Sequence, residues 1–153
     1  MGNVQGLPPC PPDISEPHYL ALLFARECMG CGQSIGATLY GELRVRFCRS
    51  CRHSRLVVLN GLDPRVDRLI YRSPEPIRVP LELSGPPVSC AIRVEADAIR
   101  EKFKELLEAG DTDVLDAWEQ ERRMVTIERI KEARAIRAFL KSWKPNMRGL
   151  KPK

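Results

Sequence analysis

Four cysteines in two pairs constrain this chain more than any other feature: Cys28-Met29-Gly30-Cys31 and Cys48-Arg49-Ser50-Cys51. Two intervening residues allow a tight turn to aim both sulfurs of a pair at one point, and Gly30 and Gly32 ease such a turn. Two CxxC pairs joined by a loop of this length predict a tetrahedral metal site holding one structural Zn2+ on Cys28, Cys31, Cys48 and Cys51. A module of about forty residues or fewer rarely builds enough core to fold alone, and a bound metal is one usual remedy. Four thiolates also fill the coordination shell, leaving no position for substrate or activated water. An iron–sulfur cluster is the alternative occupant. A thioredoxin-like redox site needs a single CxxC at a strand–helix junction, which this pattern does not supply. Cys10 and Cys90 lie outside the pattern and read as free thiols, and His18 and His53 as surface residues.

The rest of the chain predicts an α+β fold. Residues 1–13, rich in Pro and Gly, are expected to form a disordered lead-in. Residues 14–60 read as a short helix and the four-cysteine zinc ribbon. Ser15 is the expected N-cap and Pro17 sits in the first turn, so Tyr19 to Phe24 form a short apolar helix serving as a lid on the metal module. In the ribbon, Leu43, Val45 and Phe47 alternate with Arg44 and Arg46, predicting a strand with one apolar and one basic face. Leu56 to Leu59 is a further strand-prone run. Residues 61–90 hold six prolines among positions 64 to 87 and read as a connector with an edge strand near residues 77–83. Residues 91–145 predict an antiparallel helical hairpin. Ala96, Ile99, Phe103, Leu106 and Leu107 form one apolar stripe, Gly110 ends the first helix, and Asp111, Thr112 or Asp113 caps a second helix reaching to about Trp143. Residues 146–153 are a basic tail. From Arg129 to Lys153 there are nine basic residues and one acidic residue, Glu132.

These residues carry a family likeness. The run from Ser15-Glu16-Pro17 through Leu22-Leu23-Phe24, then ECMGCG and LRVRFCRSC, followed by helices bearing Trp118 and Trp143, resembles the region after the F-box in F-box-type proteins of basidiomycete fungi. The likeness spans most of residues 13–143. It implies an intracellular adaptor module that binds a protein target on behalf of a cullin-type ubiquitin ligase. No F-box is recognisable before Ser15, so the chain is expected to be a fragment or shortened paralogue, or to work without ligase docking. A second resemblance, to zinc subdomains of DNA-damage-recognition proteins, implies that Arg44, Arg46, Arg49, Arg52 and Arg55 face a nucleic acid or another partner.

Composition narrows the classes further. The 153 residues carry a net charge of +5, which permits an acidic partner without requiring one. No segment is long and apolar enough for a secretory leader or a bilayer span, so cytoplasm or nucleus is expected, where thiols stay reduced. No Ser-His-acid or Cys-His arrangement, Gly-rich phosphate loop or open metal site is evident, and the expected function is binding rather than catalysis.

Overall fold

A computed structural model describes residues 6–34, 37–59, 63–73 and 89–143. In chain order the elements are α1 (Glu16–Phe24), β1 (Thr38–Tyr40), β2 (Val45–Phe47), α2 (Arg49–Arg55), β3 (Leu56–Val58), α3 (Pro64–Asp67), β4 (Cys90–Ile92), α4 (Arg93–Ala109) and α5 (Thr112–Ser142). The class is α+β: among the described residues, helices surround two small antiparallel sheets, β1-β2 and β3-β4. The expected edge strand near residues 77–83 and the basic tail lie outside the described residues.

Local signals explain the helix ends. The Ser15 hydroxyl accepts the His18 N–H at 3.3 Å and so starts α1, satisfying one of the orphan amide donors of the first turn. Gly110 stops α4 with a left-handed φ of 75°, a conformation that a side chain would penalise. Asp111 then caps α5, its Oδ1 accepting the Val114 N–H at 3.2 Å. Replacing Asp111 with alanine is expected to cost about 1 kcal/mol, measured as a lowered denaturation midpoint with unchanged slope.

Two of the buried clusters fix how the halves meet. Around the cysteines, Tyr40, Leu43, Phe47, Leu56 and Cys90 pack against Cys28 and Cys48. A second cluster joins Leu59, Val66, Leu69, Ile70 and Ala91 to Ala96 and Phe103 of α4 and Leu115 of α5. The β3-β4 ladder, with Val57 opposite Ala91, stitches the two together. The tip of the β1-β2 hairpin docks directly on α5. Gly41 lies against Ala133, buried Glu42 pairs with Arg137 at 2.8 Å, and Arg129 donates to the Glu42 carbonyl at 3.3 Å.

α1 is not simply a lid on the cysteines: Tyr19 and Leu23 bury themselves against Ile136 of α5, and Phe24 meets Phe139 edge-on and Trp143 at a tilt, its ring 4.9 Å from that of Trp143. The end of the lead-in is engaged rather than loose. Leu7 and Ile14 pack on the same cluster, and the Tyr19 hydroxyl donates to the Pro8 carbonyl at 2.7 Å. Leu107, assigned to the apolar stripe, is exposed: it lies in the last turn of α4, past Phe103, the last buried residue of that helix. The proline-rich connector holds the short helix α3, started by Asp63 accepting the Val66 N–H. Among the described residues, no helix is long and apolar enough to cross a membrane.

Candidate metal centre

Each pair of cysteines is aimed by a different local device. The first sits in a turn: Gly32 N–H closes it on the Cys28 carbonyl at 2.8 Å, and Met29 N–H ties it to the Arg46 carbonyl of β2 at 2.8 Å. The CxxC spacing predicts a matching ribbon turn for the second pair. Instead it occupies the start of α2, with Cys48 as N-cap accepting the Cys51 N–H at 3.4 Å. A sulfur that carries negative charge is favoured at a helix start. The antiparallel hairpin, Leu39 opposite Arg46, brings the two devices together.

The four Sγ atoms of Cys28, Cys31, Cys48 and Cys51 all lie within 4.8 Å of one another, and those of Cys31 and Cys48 are 3.7 Å apart. Four metal–thiolate bonds of about 2.3 Å in a tetrahedron place sulfurs roughly 3.8 Å apart. The cluster is therefore positioned to bind a metal ion, and all four thiols are free of disulfides. Backbone donors support the negative charge that ligation requires. Gly30 N–H and Cys48 N–H reach the Cys28 sulfur at 3.3 and 3.2 Å.

Charge at the cluster is uneven. Burial pushes the Cys28 thiol upward, yet the amides of Cys48, Cys31 and Gly30 together outweigh it and bring it down to about 6. Cys51 is pushed up to about 12, first by burial and then by the neighbouring sulfurs. One thiolate forms readily, and crowding then opposes further ionisation. A cation reverses this by compensating the repulsion, so its binding displaces protons and strengthens as pH rises.

Gly30 is needed for space. A Cβ built there meets the Cys51 sulfur at 2.7 Å, closer than packed atoms tolerate. Gly30→Ala is expected to displace Cys51 and weaken metal affinity about tenfold or more, within the range that disturbed ligand surroundings produce, as read by competition with a chromogenic chelator.

The arginines divide into two groups. Arg44, expected on an exposed basic strand face, is buried and lies before β2, in the hairpin turn, with φ of 56°. Its guanidinium contacts Asp13 and Glu132, each at 2.5 Å. Arg46 turns inward too, donating to the carbonyls of Leu22 at 2.6 Å and Leu23 at 2.9 Å, at the end of α1. Neither forms the open surface that alternation implied, because the neighbours of this turn are α5 and α1 rather than water. Arg49 and Arg55 are exposed and Arg52 is half-buried on α2. Arg55 lies against Phe47, its guanidinium carbon 6.0 Å from the ring centre. His18 and His53 are exposed, and Cys90 is buried in the core beside the centre. The network of Arg44 and Glu132 escaped sequence reasoning, since nothing local links residues 88 positions apart.

No protein-family model, curated protein or solved structure matches this chain.

Proposed function

We propose that this chain is a non-enzymatic protein-interaction module whose fold is held by one structural zinc ion. The observation that carries the reading is the gathering of four thiol sulfurs within 4.8 Å of one another. An all-sulfur donor set of this geometry suits zinc and closes its shell, so the ion organises the fold instead of acting on a substrate. On the sequence likeness, the role is that of the substrate-side region of a fungal F-box-type adaptor, with target recognition, not ligase docking, assigned to these residues. Cobalt substitution tests the closed shell. The expected spectrum shows tetrahedral ligand-field bands with strong thiolate charge transfer, unchanged by added azide or imidazole. A spectrum that shifts with either ligand would reveal an open position and overturn the non-enzymatic reading.

A second reading, nucleic-acid binding, is favoured by one observation: residues 43–59 contain no acidic side chain, and Arg49, Arg52 and Arg55 share α2. Arg44 and Arg46 drop out of it because they are engaged internally. It requires affinity for an oligonucleotide that falls steeply with salt and is lost in Arg49→Glu/Arg55→Glu. Binding indifferent to salt rejects it.

A further inference from the structure

The middle of α5 presents an exposed ridge with an unlike pocket on each side. On one flank, two adjoining pockets of about 240 and 230 Å³ share Arg68 and Arg72. Arg123, Thr126, Ile127 and Ile130 complete the second. Arg68 uses its Nε on the Pro64 carbonyl at 3.0 Å, and neither Arg68 nor Arg72 pairs with a carboxylate among the described residues. Arg123 reaches Glu119 only at 3.7 Å, a carboxylate that Arg65 also contacts. The acidic side chain in the first pocket, Asp67, is largely buried and faces Arg100 at 3.9 Å. Among the described residues, positive charge on this flank is therefore in excess.

The other flank is a cleft of about 720 Å³ between residues 12–13, Tyr71 and α5. Its charged floor is internally matched, Arg44 with Asp13 and Glu132, and Arg129 with Asp13 at 3.7 Å. The wall is apolar: Met124, Val125 and Ile127 line it, and Ile127 borders both flanks. Met124 is 60% exposed and Ile127 53%, large apolar side chains in water on an otherwise charged helix.

We propose that this ridge binds an acidic peptide segment of a partner protein, its carboxylates on Arg68, Arg72 and Arg123 and an apolar side chain across Ile127 in the larger cleft. The proposal rests on the interaction-module reading and names the chemistry of the partner. Guanidinium groups offer paired N–H donors that match carboxylates. Phosphate or a nucleic-acid backbone would use the arginines but gain nothing from Met124 and Ile127. Tyr71 gives bases no stacking platform, since it is half-buried with the guanidinium groups of Arg129 and Arg122 over its ring. A helix about 10 Å wide, crossed by extended chain at roughly 3.3–3.6 Å per residue, sets the apolar residue three or four positions from the acidic ones.

Selection of a random dodecapeptide display library on the zinc-loaded full chain tests this. The expected result is enrichment of sequences with two or more Asp or Glu residues three or four positions from Leu, Ile, Met or Phe. A synthetic peptide of the leading sequence, followed by fluorescence anisotropy, should bind at least tenfold more weakly to Arg68→Glu/Arg72→Glu. It should lose a similar factor with Ile127→Asp, an exposed change on the ridge between the two flanks, while zinc content and circular dichroism stay unchanged in both variants. Enriched peptides lacking acidic residues, or insensitive to both variants, overturn this surface while leaving the interaction-module reading standing. Displacement of the peptide by inorganic phosphate or a thymidine oligonucleotide at comparable affinity overturns the assignment to an acidic peptide. Failure to enrich any sequence over the Arg68→Glu/Arg72→Glu variant overturns the surface as well.

Discussion

Cys28→Ser is expected to leave the protein without stoichiometric metal and to unfold the region from Cys28 to Val58. Cys28 is 2% exposed, and its sulfur is the one that gathers amide donors from both halves of the centre, Gly30 and Cys48. Serine keeps a donor atom but offers no thiolate at neutral pH. The loss is large because the core cluster counts two of the four gathered cysteines, Cys28 and Cys48, among its buried residues. Without the ion, that cluster alone has to offset the chain entropy of the short hairpin. Structural zinc in small modules contributes on the order of 10 kcal/mol at neutral pH, more than a domain of this size has to spare. The helices α4 and α5 have their own cluster around Phe103 and Leu115. Far-ultraviolet circular dichroism should therefore retain much of its helical signal while near-ultraviolet signal from Tyr40 and Phe47 is lost. A Cys28→Ser protein that keeps its metal and its near-ultraviolet spectrum would contradict the assignment of this ligand.

Arg44→Ala is the second large effect, about 3 kcal/mol of destabilisation. Its side chain is 7% exposed and bridges Asp13, before α1, to Glu132 on α5. Removing one partner of a buried ion pair costs about 3–5 kcal/mol. The lower end applies because Asp13 and Glu132, 55% and 29% exposed, regain water. Backbone strain separates from charge in a companion variant. At φ of 56° a side chain costs about 1 kcal/mol that glycine does not, so Arg44→Gly should be less destabilised than Arg44→Ala by that amount. The same pair sets an acid response. The hydrogen bond from Arg44 holds the Asp13 carboxyl below the ordinary aspartate range, against the opposing effect of burial. A carboxyl lowered in the folded state stabilises it fully above the unfolded value and loses that contribution as pH falls through the folded one. Wild type should thus lose this increment below about pH 4, and Arg44→Ala should lack it, in urea titrations across that range.

The parts legible in the sequence are those set by neighbours in the chain. The cysteine pairs, the Ser15 and Asp111 caps and the Gly110 stop each involve residues within a few positions, and all appear where local chemistry places them. α2 was not legible: RSCRHSR has no apolar period, none of its residues is fully buried, and its start is set by the cysteines. The alternation of Leu43, Arg44, Val45 and Arg46 misled because period-two reasoning assumes one face in water. Here α5 covers the turn and the end of α1 takes the Arg46 guanidinium. The pairing of β3 with β4 joins residues more than thirty positions apart, a relation that no single segment encodes.

Native mass spectrometry of the purified chain, with and without a strong chelator, alongside circular dichroism of both samples, tests the central claim most directly. One zinc ion per chain, retained until the chelator removes it together with the near-ultraviolet signal, is the predicted result. A chain that carries no metal yet keeps its full tertiary spectrum, or one that carries iron with inorganic sulfide, would contradict it.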